Sequence, residues 1–300
     1  MATGDQAAER FIVRVPDGRA VEVLSAGPAD GLAFVYHTGT PSGLVAFAPM
    51  IEAATAQGLR SVYYSRPGYG NSDPQPGRRV ADAAADVAAI LDHLGVGQFV
   101  TAGSSGGGPH ALATAALLPG RCLAAASLAG VAPYPAEGLD WFAGMAAENV
   151  AEFGAALDGE TALTAFLHAP ADALTVVTGD QVAAELGSLA SPADRAALTG
   201  QFADHLAEAF RAAVSTGIAG WRDDDLAFTT AWGFSLDDVT VPLSIWQGDE
   251  DAMVPSGHGE WLAHQLPRAR AHLLRGEGHL TLTLHRIADV LAELVRLAGL

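Results

Sequence analysis

Val100-Thr101-Ala102-Gly103-Ser104-Ser105-Gly106-Gly107-Gly108-Pro109 carries the strongest fold signal in the chain. An apolar run ends in Gly-x-Ser-x-Gly, and a helix start follows. A serine that stands clear of the backbone at a pocket mouth needs a very tight strand-to-helix turn. Such a turn tolerates almost no side-chain volume two residues before or after the serine, hence Gly103 and Gly107. Gly106 and Gly108 let the helix pack close to the sheet. The turn aims Ser105 at a helix N-terminus, where unpaired N–H groups favour negative charge. Ser104 also has small neighbours, Ala102 and Gly106, but it falls one residue too early for the helix start. Neither Gly-x-x-x-x-Gly-Lys-Ser nor Gly-x-Gly-x-x-Gly is satisfied, which disfavours nucleotide binding.

On both sides of this turn, strand-like and helix-like segments alternate. Phe11 to Val15 and Arg19 to Leu24 read as a hairpin around Pro16-Asp17-Gly18. Leu32 to Tyr36, Ser61 to Tyr64, Phe99 to Ala102 and Leu123 to Ala129 read as strands. Leu44 to Gln57 and Val80 to Leu94 read as helices, the second amphipathic and closed by Gly95. The pattern predicts an α/β fold, a parallel sheet with helices on both faces. From about Pro133 to Leu236 no strand is evident. Asp140 to Leu157, Gly159 to Phe166, Gly179 to Leu186 and Pro192 to Ser215 read as helices. Alternation resumes with Pro242 to Gln247, Ser256 to Leu266, Ala269 to Arg275 and Thr281 to Leu300. Residues 134–235 are therefore read as a helical cap inserted into a core of residues 1–133 and 236–300.

Composition narrows the chemistry. All sixteen basic residues are arginine, and lysine is absent. That excludes Schiff-base chemistry and Ser-x-x-Lys acylation, so the base for a serine must be histidine or a carboxylate. A net charge of −18 argues against nucleic acid and anionic membrane surfaces. The expected partner is a small-molecule substrate, with a homodimer as the one assembly considered. No long apolar window predicts a membrane span, and Met1 to Asp5 lack the features of a signal peptide, so the expected location is cytoplasmic. Cys122 is the only cysteine. No cluster has metal-site spacing, and no metal or cofactor is expected.

In an open parallel sheet the loops after the strands' carboxyl ends converge on one crevice. Four such loops carry suitable residues. Ser105 follows one strand. His279 follows another, and alone among the ten histidines it sits directly after a strand in a Gly-x-Gly-His turn, Gly276-Glu277-Gly278-His279. There it can take the Ser105 proton as a base. Asp251, in Gly248-Asp249-Glu250-Asp251, is the expected partner that orients it; Asp249 and Glu250 are read as a solvated turn. His37-Thr38-Gly39-Thr40-Pro41 should supply one oxyanion N–H, from Thr40 with Gly39 as runner-up, beside that of Gly106. His37 is read as a brace at the pocket. His110 is read as packed inside its helix, and His258 as flanking a surface helix.

The chain resembles a serine α/β-hydrolase with a helical cap. His-Thr-Gly-Thr-Pro is similar to that family's His-Gly-x-Pro loop with one residue inserted. Ser65-Arg66-Pro67-Gly68-Tyr69-Gly70-Asn71-Ser72 and Gly248 to Pro255 resemble two further family segments, and the order Ser…Asp…His is the family's. The resemblance implies a mostly parallel eight-stranded sheet and a hydrolase acting through an acyl-enzyme on an ester, thioester or lactone. Ser105 in place of aspartate disfavours dehalogenase and epoxide hydrolase chemistry. The alternatives are a peptidase, amidase or carbon–carbon hydrolase with the same triad, or a ligand-binding scaffold. For a peptidase, Glu148 and Glu152 are the cap carboxylates to inspect, though a solvated helix face is the expectation. Trp141, Phe142 and Trp232 are expected to line the pocket, and Asp223-Asp224-Asp225 reads as a solvated turn.

Overall fold

In the computed structural model, residues 8–300 are described; the N-terminal reading of Met1 to Asp5 lies outside them. Eight strands form one sheet: β1 (Glu9–Arg14), β2 (Ala20–Ala26), β3 (Leu32–His37), β4 (Leu59–Tyr64), β5 (Phe99–Ser104), β6 (Cys122–Leu128), β7 (Leu243–Gly248) and β8 (Arg270–Leu274). Their order is β1-β2-β4-β3-β5-β6-β7-β8. β1 and β2 are antiparallel to their neighbours, and all other pairs are parallel. The expected mostly parallel sheet is therefore present. β5, which carries Ser105 at its end, lies between β3 and β6. The carboxyl ends of β3, β6 and β7, all parallel to β5, bring the loops after His37, Leu128 and Gly248 to the same edge.

Helices α1 (Ala48–Ala56), α2 (Ala83–His93), α3 (Gly107–Leu117), α10 (Ser256–Gln265) and α11 (His279–Leu297) pack on the sheet. Small side chains explain how α3 sits so close. It is built from glycine, alanine and a few larger residues, and ten of its eleven positions are buried. Leu112, Ala113 and Ala115 join the core cluster on one face of the sheet with Val35, Val62 and Ile90. On the other face, Val290, Leu291 and Leu294 of α11 meet Val100, Ala124 and Ala126.

Between β6 and β7 the described chain is helical: α4 (Ala147–Leu157), α5 (Glu160–Leu174), α6 (Gly179–Glu185), α7 (Pro192–Ala197), α8 (Gly200–Val214) and α9 (Ala219–Phe228). Three differences from the sequence reading have local causes. The helix expected from Asp140 begins only at Ala147, because Gly144 turns the chain at φ +84°. The helix expected from Pro192 to Ser215 is two helices, with Gly200 at φ +51° at the break. The third concerns Asp223-Asp224-Asp225. These residues form the middle of α9 and are buried, not a solvated turn. Three consecutive charges hide the hydrophobic period by which a helix is recognised.

Asp224 explains why those charges can be buried. Its carboxylate meets Arg66 Nη2 at 2.7 Å and Arg78 Nη2 at 2.7 Å, and it accepts from the Tyr69 and Thr40 hydroxyls at 2.9 and 2.8 Å. Arg66, Tyr69 and Arg78 all come from the loop after β4, so the insertion is fastened to the sheet through one carboxylate. The two guanidinium charges hold Asp224 well below the ordinary carboxylate range despite its burial. Removing one member of a buried charge cluster strands the rest, at a cost of about 3–5 kcal/mol. Asp224→Asn is therefore expected to lower the unfolding free energy by that much, seen as a lower urea midpoint with little change in slope, in equilibrium unfolding followed by circular dichroism.

Candidate active site

Ser105 stands immediately after β5 with φ +54°, a left-handed conformation that costs a non-glycine residue about 1–3 kcal/mol. The surrounding glycines are what make this turn sterically open. A Cβ on Gly103 would lie 2.0 Å from the Gly107 carbonyl oxygen, and one on Gly107 would lie 2.0 Å from that of His37. The Ser105 N–H donates to the Leu128 oxygen at 2.8 Å, which ties the turn to β6. The neighbouring serine has a different fate. Ser104 Oγ is hydrogen-bonded to the Tyr36 hydroxyl at 2.8 Å.

His279 is the first residue of α11 and is buried. Two aspartates hold it. Its Nδ1 lies 2.8 Å from Asp251 Oδ2. The backbone N–H groups of His279, Leu280 and Thr281 donate to the Asp194 carboxylate at 3.1, 2.7 and 3.0 Å. Asp194 belongs to α7, so a carboxylate of the insertion caps the helix that carries the imidazole. A negative charge at a helix N-terminus satisfies orphan N–H groups and complements the helix dipole. Sequence reasoning missed this residue, because its partners lie more than eighty positions away.

Asp251 is itself fixed. Its Oδ1 accepts from the N–H groups of Met253 and Val254 at 2.9 and 2.8 Å, and Gln247 Nε2 donates to its Oδ2 at 3.2 Å. Asp249 does something else: it accepts from the Gly276 N–H at 2.7 Å and joins the loops after β7 and β8. At His279, burial presses the imidazole toward its neutral form. The Asp251 charge and hydrogen bond, with a contribution from Asp194, outweigh this and raise its pKa above the ordinary histidine value.

Ser105, Gly106, Gly39, Thr40 and His279 line one cavity of about 700 Å³. The N–H groups of Gly106 and Thr40 have no hydrogen-bond partner among the described residues. Arg66 shapes the loop from behind, donating to the carbonyls of Thr38 and Gly39 at 2.6 and 2.9 Å and to Thr40 Oγ1 at 2.9 Å.

The structure corrects the expected pocket. His37, Trp141, Phe142 and Trp232 are absent from the cavity wall. His37 turns inward, with Nδ1 3.0 Å from the Tyr64 hydroxyl and its ring stacked on His110. Burial keeps both imidazoles neutral, His110 with a pKa lowered to about 3. Trp141 donates to the Ala132 carbonyl at 2.9 Å and packs edge-on against Phe142, Phe153 and His258. It anchors the start of the insertion instead of facing substrate. Trp232 stacks on Phe234 at the insertion's far end. His258 is buried and not a surface residue: Nδ1 accepts from the Ala132 N–H, and Nε2 donates to the Trp141 carbonyl. The apolar wall comes instead from Phe47, Phe153, Phe166, Phe202, Phe210 and Phe228, with Trp221 and His205 beside them. Glu148 reaches the wall as an exposed residue bonded to Ser188, whereas Glu152 accepts from Trp221 Nε1 at 2.6 Å inside the cavity.

Among the described residues, no three carboxylate, histidine or cysteine side chains converge as a metal site. No helix among them is long and apolar enough to cross a membrane.

Comparison with known proteins agrees with this architecture. A non-heme chloroperoxidase from Streptomyces lividans is 33% identical over 154 residues, a stretch that covers 47% of this chain and 56% of that protein. The bromoperoxidase from Bacillus anthracis superposes with a TM-score of 0.73 at 18% identity, covering 96% of this chain and 100% of the other. A thermophilic esterase from Thermogutta terrifontis superposes with a TM-score of 0.70 at 18% identity, covering 98% and 100%. The family model of the alpha/beta hydrolase fold matches residues 33–285. With its eight-stranded, mostly parallel sheet, the chain belongs to the α/β-hydrolase fold family.

Proposed function

We propose that the protein is a serine hydrolase that cleaves a carboxylic ester, thioester or lactone through an acyl-enzyme. One observation carries this reading: Ser105, in its strained turn, and the Asp251-held imidazole of His279 border the same cavity. In this reading His279 donates Nδ1–H to Asp251, which leaves the Nε2 lone pair for the Ser105 proton. Ser105 Oγ attacks the substrate carbonyl. The N–H groups of Gly106 and Thr40 hold the developing oxyanion, and the imidazolium returns its proton to the leaving group. Water repeats the cycle on the acyl-enzyme. The helical insertion acts as the cap, since α4, α5, α8 and α9 all contribute to the wall and exclude water. The esterase among the structural neighbours is consistent with the ester preference.

Turnover of a p-nitrophenyl ester series, against matched amides and peptides, tests the bond type. Ser105→Ala is expected to lower kcat by three orders of magnitude or more, roughly as triad removals do elsewhere, with the fold intact by circular dichroism. His279→Ala should be nearly as damaging, because the two groups act as a unit. Ser104→Ala should leave kcat within a few-fold. Comparable losses in the Ser104 and Ser105 variants would overturn the assignment.

The raised His279 pKa sets the sign of the pH dependence. The base must be neutral, so activity falls as pH drops through that pKa. The acid limb of kcat/KM is expected to have its midpoint above about 6.5, the free histidine value. Asp251→Asn removes the larger raising charge and should move the limb downward. Asp194→Asn should move it the same way by less. Full pH profiles of the three proteins check this.

The corrected pocket changes where selectivity should reside. Phe166→Ala or Phe202→Ala should alter acyl-length preference by about 1–3 kcal/mol in relative kcat/KM. Trp141→Ala should instead lower the melting temperature and leave the preference ratio nearly unchanged.

A further inference from the structure

We propose that Glu152 and Asp225 form a cation subsite in the cavity wall, one that takes a protonated primary or secondary amine on the substrate. As a statement about the substrate this rests on the hydrolase reading above. As a statement about binding it stands by itself.

The cavity is lined mainly by aromatic and aliphatic side chains, and among the carboxyl groups in that wall Asp225 is buried and Glu152 partly buried. Asp225, on α9, is 1% exposed, and its Oδ2 has no hydrogen-bond partner. Glu152, on α4, accepts one bond, from Trp221 Nε1. Both carboxyl groups line the same cavity, and no side-chain donor there reaches Asp225 Oδ2. Two acceptors then share one wall, and neither can donate unless one keeps a proton.

Burying an oxygen acceptor without a donor is costly, and burying two adjacent carboxylates is more so. Burial first, and then their mutual repulsion, push the Asp225 carboxyl well above its ordinary range; burial raises that of Glu152. The Arg78 charge offsets part of this, but no nearby arginine pairs with either carboxyl. Arg78 is committed to Asp224 Oδ1 and the Gly220 carbonyl, and Arg66 to Asp224 and the loop carbonyls. Arg222 is paired with Asp223 and Glu160. Asp224 adds a further negative charge next to Asp225.

An ammonium group answers this arrangement. It supplies two or three donors, replaces the retained proton and places one positive charge against the pair. The rings of Trp221, Phe153 and Phe228 in the same wall suit a cation with an apolar body. A divalent metal suits it less, because it needs further oxygen ligands and no third carboxylate, histidine or cysteine converges among the described residues. The ligand class is thus a small, mostly apolar molecule with one basic nitrogen.

The test compares n-hexylamine with n-hexanol at pH 7.5 by titration calorimetry on wild type and on Glu152→Gln/Asp225→Asn. Wild type should bind the amine at least tenfold tighter. Amine binding should also release close to one proton, read from the heat in buffers of different ionisation enthalpy. The double variant, checked for folding by its melting curve, should lose both the discrimination and the proton release. In parallel, wild type should show at least a tenfold higher kcat/KM for p-nitrophenyl 6-aminohexanoate than for p-nitrophenyl heptanoate. Equal binding of amine and alcohol by wild type would overturn the subsite. So would discrimination that survives in the double variant. If no ester is turned over while amine discrimination is present, the hydrolase reading fails and the subsite stands.

Discussion

Two buried aspartates of the helical insertion hold the site's parts in register. Asp224 reaches the loop after β3 through Thr40 and Arg66. Asp194 reaches the first turn of α11 through three backbone N–H groups. One aspartate therefore grips the loop that carries Thr40, and the other grips the helix that carries His279. The insertion is part of the frame that positions the candidate chemistry as well as a roof over it. If it shifted, both Thr40 and His279 would lose a partner at once.

The run Asp223-Asp224-Asp225 shows how helical geometry divides one composition into three roles. Consecutive helical residues point about 100° apart. Asp223 therefore meets Arg222 within the insertion, Asp224 points down at Arg66 and Arg78, and Asp225 points at the cavity. Asp223 and Asp224 are each paired with arginine, and Asp225 is not. The absence of lysine is consistent with this. A guanidinium presents a planar fork of donors, so Arg66 can serve Asp224 and three loop oxygens together, where a lysine ammonium would have too few. Asp225 has no such partner, which is why it is the carboxyl in need of one from a ligand.

The parts of this structure that were legible in the sequence are those dictated by local geometry. Gly103 and Gly107 follow from steric contacts within a few residues, and the alternation around them implied the sheet. The positions of Ser105, Asp251 and His279 after β5, β7 and β8 followed from where a parallel sheet puts its loops. What the sequence did not carry was direction. Trp141, Phe142 and Trp232 have the size of pocket residues, but nothing local states which way a side chain turns in an all-helical segment. They turn toward the junction with the sheet, where the Ala132 carbonyl accepts from Trp141. Likewise, Asp194 reads as an ordinary helix-start residue. Its second role depends on α7 packing against the first turn of α11.

The same distinction bears on His279. Its side-chain partner, Asp251, lies in a loop of the sheet; its backbone partner, Asp194, lies in the insertion. The imidazole's charge balance is thus set mainly by the core and adjusted by the insertion. A sheet with its strand-end loops can host many chemistries, because the frame supplies generic acid–base groups while selectivity comes from what is added. Here the addition does more than shape the wall. Through Asp194 it also touches the electrostatics of the proposed base, and through Asp224 the position of the loop expected to receive negative charge. Variation within the insertion would then change reactivity together with selectivity, because the carboxylates that fasten it also act on the groups proposed to do the chemistry.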